Sequence, residues 1–216
     1  GPPLAARAQR RAGSPLRARL NSTRRILATA HSQLTAAGMA GLDSGPAGEW
    51  LLDNLHVVEE HLREVHESLP RGYYQELPEL GAGPLAGYPR VYEVATTLIS
   101  HTEARIDRDN VDLFLGAFQE VEPLAIGELW AIPAMLRLGL LESVRRMALR
   151  IVQRLDQIAL ASEWAERFRE ASEDDGADLG GVMRQFITDT PPLTAHFVAH
   201  FLQRVRPARG AFPALA

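Results

Sequence analysis

The chain of 216 residues is 46% hydrophobic and 23% charged, which is typical of a folded domain and excludes a disordered chain. It contains no cysteine, which excludes disulfide bonds and thiolate metal sites. The net charge of −4 conceals an asymmetry, because residues 1–42 hold seven arginines and no carboxylate.

The basic start has two interpretations. Residues 1–13 are predicted to be a flexible basic arm or a remnant of protease cleavage, since Gly1-Pro2 resembles a cleavage scar. A basic arm can bind phosphates or a membrane surface, but a solvated tail that leads into a helix is the more frequent case. The acidic balance of the remaining chain argues against nucleic acid as a partner.

Two helices with one apolar stripe each are predicted first along the chain. Ser14 and Pro15 are residue types of a helix cap and a first helical position. The stripes follow steps of three and four, which indicates one buried face per helix. The first stripe contains Leu16, Leu20, Thr23, Leu27, Ala30, Leu34 and Ala37. The second, after a turn that ends at Gly48, contains Leu51, Leu55, Val58, Leu62, Val65 and Leu69.

Residues 70–89 interrupt the helical pattern with the sequence PRGYYQELPELGAGPLAGYP. Four prolines and four glycines exclude a long helix, and loops of this length in compact domains are often functional. Tyrosine there can bury its ring while its hydroxyl finds a partner. The predicted contacts with a substrate or partner are Tyr73, Tyr74, Tyr88, Arg90 and Tyr92.

A helix is predicted over 91–102, and Asp107 is predicted to cap another that ends near Val121. The longest apolar stretch, 120–155, then predicts a central helix that begins near Pro123 and bends at Pro133. Its first half is apolar all round, which predicts burial: Leu124, Ile126, Leu129, Trp130, Ile132, Met135, Leu136 and Leu138. Its second half has an arginine face: Arg145, Arg146, Arg150 and Arg154.

After about Ala161, a short helix with Trp164 and Phe168 is predicted, followed by a polar break at 173–178 and one or two further turns. A last helix is predicted to start at Thr190-Pro191 and to stop at Pro207. The predicted fold is therefore all-α, a bundle of about seven to nine helices around the long, Pro-kinked central helix. Residues 14–206 are expected to form one domain, with a tail over 207–216.

The sequence predicts no catalytic residue, metal site or cofactor in this segment. His56, His61 and His66 are five apart and diverge around a helix, while His196 and His200 share a face but lack a third ligand. Four residues are predicted to be structural: Trp130, Pro133, Glu128 and Arg137. The two charged ones are too far apart to pair with each other and each requires another partner. Charges inside the most apolar window argue against a membrane span.

Five stretches resemble the N-terminal region of the cyclic β-1,2-glucan synthases, which are large bacterial inner-membrane enzymes. They are WLLDNLHVVEEHLREV (50–65), LPRGYYQELPEL (69–80), GPLAGYPRVYEVA (83–95), SHTEARID (100–107) and VEPLAIGELWAIPAMLRLGLLESVRRMA (121–148). The family-like core therefore covers about residues 50–148.

The resemblance implies a longer parent enzyme that polymerises glucose from UDP-glucose, with a divalent cation, and also carries glucoamylase-like and glycoside-phosphorylase-like regions. None of the family's catalytic motifs falls in the matched stretch. We therefore expect a non-catalytic accessory or docking domain that contacts other domains of the parent on the cytoplasmic side of the inner membrane. The alternative is a glucan-binding module, free-standing or within the parent.

Overall fold

The computed structural model describes residues 15–68, 73, 76–173, 179–189 and 191–205. This part of the chain forms helices and no β-strand, so the all-α prediction is confirmed. The helices are α1 (Pro15–Met39), α2 (Gly45–Ser68), α3 (Arg90–His101), α4 (Arg108–Val121), α5 (Ile126–Glu173), α6 (Leu179–Asp189) and α7 (Ala195–Val205). In the part of the chain that the structure describes, none of the helices has the length and hydropathy of a membrane span.

The stripe predicted for α1 is buried at every position. Helix α1 ends where Gly41 takes a left-handed conformation (φ 71°) and the Leu42 N–H donates to the Ala37 carbonyl over 2.9 Å, a Schellman-type end. Helix α2 starts at Gly45, earlier than predicted, so the turn between α1 and α2 is short. Ser14 and Leu69 lie outside the described residues.

Helix α4 starts as predicted, because the Asp107 carboxylate accepts a hydrogen bond of 2.8 Å from the Asn110 N–H. Its apolar face is half-buried along most of its length, with Val111, Phe114 and Phe118 covered in part. Val121 at its end is 88% exposed.

Helix α5 has 48 residues and continues to Glu173. The prediction of a separate short helix carrying Trp164 and Phe168 is therefore wrong. The physical reason is that residues 156–173 contain neither glycine nor proline, so nothing ends the helix. Pro133 lies inside α5, and the bend expected there stays a prediction.

The chain divides into two compact units. Among the described residues, unit 1 comprises 15–35 and 45–149, and unit 2 comprises 36–44 and 150–205. Helix α5 contributes its first half to unit 1 and the remainder to unit 2. The expectation of one domain over 14–206 stays a prediction.

Unit 2 has an aromatic core. Trp164 and Phe197 are buried beside Ala161, and partly buried Phe168, Phe186 and Phe201 surround them. Helix α7 begins at Ala195, capped by Thr194, whose hydroxyl accepts from the Phe197 N–H over 3.2 Å. The predicted start at Thr190-Pro191 is therefore too early, and Thr190 itself lies outside the described residues.

Candidate functional site

The predicted contact residue Arg90 and the predicted structural residue Glu128 form a bidentate ion pair in unit 1. The Arg90 Nε and Nη2 atoms donate to the two Glu128 carboxylate oxygens over 3.0 and 2.6 Å. The same guanidinium also donates to the Glu122 carboxylate and, over 3.2 Å, to the Pro123 carbonyl. Arg90 is thus the partner that the buried Glu128 was predicted to need.

Glu128 has a second function at the start of α5. Its Oε2 atom accepts a hydrogen bond of 2.9 Å from the Ala125 N–H, at the position before the first helical residue. A glutamate at the third helical position that binds this N–H forms half of a capping box. The Glu128 side chain is fully buried, so one carboxylate both caps α5 and fixes the start of α3 through Arg90.

Tyr73 reaches the same helix start from the loop. Its hydroxyl, which is partly buried, donates to the Gly127 carbonyl. The neighbouring predicted contact residue, Tyr74, lies outside the described residues.

The end of the loop is closed by main-chain hydrogen bonds. The Leu80 N–H donates to the Tyr88 carbonyl over 2.9 Å, and the Arg90 N–H donates to the Pro78 carbonyl over 2.8 Å. Gly87 has a φ of 81°, a conformation that glycine adopts without strain, and its N–H returns to the Leu80 carbonyl. These hydrogen bonds close the loop and position Arg90 beside Glu128.

Tyr88 and Tyr92 stack on each other with their ring centroids 5.4 Å apart. Tyr92 is buried and Tyr88 half-buried, and the Arg19 guanidinium of α1 lies 5.9 Å from the Tyr88 ring centroid. Arg19 also pairs with the buried Glu142 over 3.0 Å. These two tyrosines therefore contact other residues of unit 1, and the partner-contact role predicted for them stays a prediction.

The pKa shifts of these groups follow from their surroundings. Hydrogen bonding to Glu128 raises the pKa of the Arg90 guanidinium above its ordinary value, so the guanidinium keeps its positive charge. Burial raises the pKa of the Tyr73 and Tyr92 hydroxyls, although the charge of Arg19 opposes the shift at Tyr92. Burial alone would lower the pKa of Arg19, but Tyr88 and Glu142 outweigh it and raise the value.

The surface beside this network is apolar and exposed. Trp130 is 80% exposed and Ile126, one helical turn away, is 75% exposed. Leu129 is partly exposed, and the exposed Val121 lies just before Glu122, which Arg90 also contacts. We name Val121, Ile126, Leu129 and Trp130 the apolar surface of unit 1.

The prediction that Ile126, Leu129 and Trp130 are buried is therefore wrong. The start of α5 has a buried face on one side, formed by Glu128, Ala131, Ile132 and Met135 at steps of three and four. A run that is apolar all round does not reveal which side has a neighbour. The signal was present in Glu128, because a charged residue that needs a partner marks the side that faces other helices.

The remaining predicted residues have ordinary surroundings. Arg137 finds its partner in Glu64, whose carboxylate lies 3.5 Å from its Nε atom, and both side chains are partly exposed. Pro133 is exposed on the outer face of α5. Within the described ranges, no three histidine, aspartate or glutamate side chains lie together as a metal site.

A serine–histidine contact that the sequence analysis did not single out lies in unit 2. Ser162 Oγ and His200 Nε2 are 2.8 Å apart. The Ser162 hydroxyl donates its hydrogen to the Ile158 carbonyl over 3.0 Å, so its oxygen accepts a hydrogen bond from the imidazole N–H instead of donating one to the imidazole. A nucleophilic serine requires the opposite direction of donation. The pair therefore packs α7 against α5 and does not resemble an activated nucleophile.

No family model matches the chain. The chain is similar to the cyclic beta-(1,2)-glucan synthase NdvB of Rhizobium meliloti (strain 1021), with 37% identity over 175 residues. The match takes in 80% of this chain but only 6% of that protein. The resemblance to the N-terminal region of the cyclic β-1,2-glucan synthases is thus confirmed, and the chain is a segment related to these synthases.

Proposed function

We propose that this chain is a non-catalytic docking domain of an enzyme related to the cyclic β-1,2-glucan synthases. The observation that supports the proposal is that the match covers 80% of this chain but 6% of the synthase. The similarity extends over most of this chain and yet takes up a small fraction of the synthase. A protein of that length has many other regions in which the synthetic chemistry can lie, and a helical segment of this kind can serve their assembly.

For the parent enzyme we propose the activity that the relative's name states, synthesis of cyclic β-1,2-glucan. UDP-glucose as donor and a divalent cation would act in regions outside this chain. We further propose that the segment lies on the cytoplasmic side of the bacterial inner membrane. An antibody against the chain, used on fractionated source cells, tests this location. We expect a band far larger than the 23.8 kDa of this chain in the inner-membrane fraction, and a soluble band near that mass would contradict it.

The docking contact that we propose is the apolar surface of unit 1. Its occupant is another region of the same synthase polypeptide, which would be covalently linked and many times longer than this chain. Exposed aromatic and aliphatic side chains in one patch are typical of a contact that is buried in an assembly. Tyr73 and Arg90 fix the start of α5 below this surface, so the patch is held in one conformation before it binds.

The composition of the patch favours a protein partner over a glucan. Sugar-binding surfaces combine an aromatic ring with polar groups that bind hydroxyls, because each buried sugar hydroxyl needs a hydrogen-bond partner. The other side chains that define the patch, Val121, Ile126 and Leu129, are aliphatic and provide none. A glucan-binding module remains the alternative, supported by the exposed Trp130 ring.

The test of docking is glucan synthesis from UDP-glucose by membranes that contain the full-length enzyme. Ile126→Ser and Trp130→Ser are expected to lower the output by roughly tenfold, since loss of one central contact commonly costs more than about 1.4 kcal/mol. Leu113→Ser is the matched control, because Leu113 and Ile126 are both 75% exposed but Leu113 lies outside the patch. Full output from Trp130→Ser would contradict the docking surface.

A titration with linear β-1,2-glucan distinguishes the docking domain from the alternative, a glucan-binding module. Docking predicts that millimolar glucan leaves the tryptophan fluorescence of the chain unchanged. A saturable change that disappears in Trp130→Ser would instead establish a glucan site. The melting temperature of each variant should match that of the unsubstituted chain, which shows that exposed positions were altered without loss of the fold.

A further inference from the structure

Helix α1 is basic in its first three turns. It contains Arg17, Arg19, Arg24 and Arg25 and no carboxylate, and the sequence before it adds three further arginines. Most arginines of a folded protein lie near a carboxylate that offsets their charge. For Arg19 of α1 such a group is provided by another helix, α5.

That group is Glu142, which is almost completely buried. It accepts hydrogen bonds from Arg19 Nη2 over 3.0 Å, from Thr23 Oγ1 over 2.8 Å and from Arg145 Nη1 over 3.3 Å. Arg146 follows on the same face of α5, one turn after Glu142, and donates to the neutral Ser143 hydroxyl over 2.8 Å. Two guanidinium groups therefore bind one carboxylate, and a third, that of Arg146, lies one helical turn further along α5.

The charge of this cluster is not compensated within the described chain. Glu142 is the one carboxylate in that part of the chain with which Arg19 and Arg145 form ion pairs, and Arg146 bonds a neutral hydroxyl, so three positive charges share one negative charge. The Nε atoms of Arg19 and Arg145 are covered and meet no hydrogen-bond acceptor among the described residues. Both side chains still reach the surface, with 33% and 25% of their area exposed, and Arg146 is exposed.

We propose that Arg19, Arg145 and Arg146 form a phosphate-binding site. Glu142, itself bound by Thr23, holds two of the guanidinium groups in place, which lowers the entropy lost on binding. A phosphate group offers several acceptor oxygens and a charge that offsets the excess, and arginine is the side chain that matches it with parallel hydrogen bonds. Such a site is independent of the apolar surface and of its docking role, because it uses different residues.

The phosphate group has two possible sources, a free phosphate compound or the headgroup of an anionic lipid. The first probe is inorganic phosphate added to the 216-residue chain, compared with chloride at the same ionic strength. We expect phosphate to raise the melting temperature more than chloride does. Isothermal titration should give a dissociation constant that weakens at least roughly tenfold in Arg146→Gln and in Arg145→Gln.

Arg146→Gln leaves Glu142 with all three of its partners, so its loss of binding cannot come from misfolding of the cluster. Arg108→Gln is the control, since Arg108 is 91% exposed and distant in the chain from the cluster. Equal phosphate binding by Arg146→Gln and the unsubstituted chain would overturn the proposal, and so would an equal loss in Arg108→Gln.

Co-sedimentation with vesicles distinguishes the two sources. Vesicles of phosphatidylglycerol and phosphatidylcholine are compared with vesicles of phosphatidylcholine alone. If the source is a lipid, the chain sediments with the anionic vesicles and Arg146→Gln does so at least roughly tenfold less. Phosphate binding without sedimentation supports a free phosphate compound. Absence of both contradicts the site.

Discussion

The two units of this protein achieve a packed interior in different ways. Unit 1 buries Thr23, Glu128 and Glu142 among its apolar side chains and gives each carboxylate an arginine from another helix. Unit 2 assembles aromatic rings instead, such as Trp164 and Phe186, whose centroids lie 5.1 Å apart at right angles. The ion pairs and hydrogen bonds in unit 1 each require one geometry, whereas packed aromatic rings tolerate several ring orientations.

This difference bears on which unit presents a defined surface. A bidentate ion pair positions two helix starts to within the tolerance of a hydrogen bond, and it does so beside the apolar surface. Rings that pack edge to face contribute mainly through the area they bury. Unit 1, which holds both buried ion pairs, is thus the part of the chain in which side-chain position matters most.

The largest expected effect tests the aromatic side of the comparison. Trp164→Ala should lower the free energy of unfolding by about 4 kcal/mol, because removing a buried tryptophan leaves a cavity. Urea denaturation measures the change. Trp50→Ala in unit 1 is the control, since Trp50 is 44% exposed and should cost much less. Equal costs for the two variants would show that the aromatic core carries little of the stability.

The next largest effect is expected for the buried Arg90–Glu128 ion pair of unit 1. Arg90→Leu should cost about 3 kcal/mol, because it leaves the fully buried Glu128 without its cation. The double variant Arg90→Leu/Glu128→Leu should regain part of that loss, since no unpaired charge then remains.

Arg108→Leu provides the reference for removing an exposed arginine and should change stability by less than about 0.5 kcal/mol. If the double variant is less stable than Arg90→Leu alone, then capping of α5 by Glu128 outweighs the cost of the unpaired charge. That result would assign this part of the stability to the cap of α5.

A smaller effect is expected where the loop meets α5. Tyr73→Phe removes only the hydrogen bond to the Gly127 carbonyl and should cost about 1 kcal/mol. Amide hydrogen exchange should quicken at residues 126–130 and stay unchanged in unit 2. Unchanged exchange at the start of α5 would argue that Arg90 alone holds this region.

The smallest effect is a pH dependence in unit 2. Burial lowers the pKa of His200, and the positive charge of Arg204 adds to the shift. The folded state therefore favours the neutral imidazole. Its contribution to the free energy of unfolding is complete above the pKa of histidine in the unfolded chain, about 6.5, and is lost as the pH falls through the lower pKa of His200 in the folded protein. The free energy of unfolding should decline below pH 6.5, and less so in His200→Gln. The exposed His66→Gln serves as control, and parallel declines in all three proteins would contradict the assignment.

Helix stripes and caps could be predicted from the sequence because they depend on local spacing. The buried stripe of α1 and the Asp107 cap of α4 are examples. The charge of Glu128 also predicted that it needs a partner. The identity of that partner could not be predicted, since Arg90 lies 38 positions away in the sequence. The cluster at Glu142 was missed, although a carboxylate one turn after Leu138 in an apolar register was its signal. The exposure of Trp130 depends on which neighbours α5 has, and periodicity contains no such information.

The Arg90–Glu128 pair also has a consequence for the order of events during synthesis. Arg90 leaves the ribosome 38 residues before its partner, and Tyr73 precedes its acceptor by 54 residues. At about 5–20 residues per second, Arg90 waits about 2–8 s before Glu128 is even made. The loop that ends at Arg90 therefore acquires these anchors only after α4 and the start of α5 have been translated. In a chain that ends before Glu128, this loop would lack both anchors and would be open to proteases.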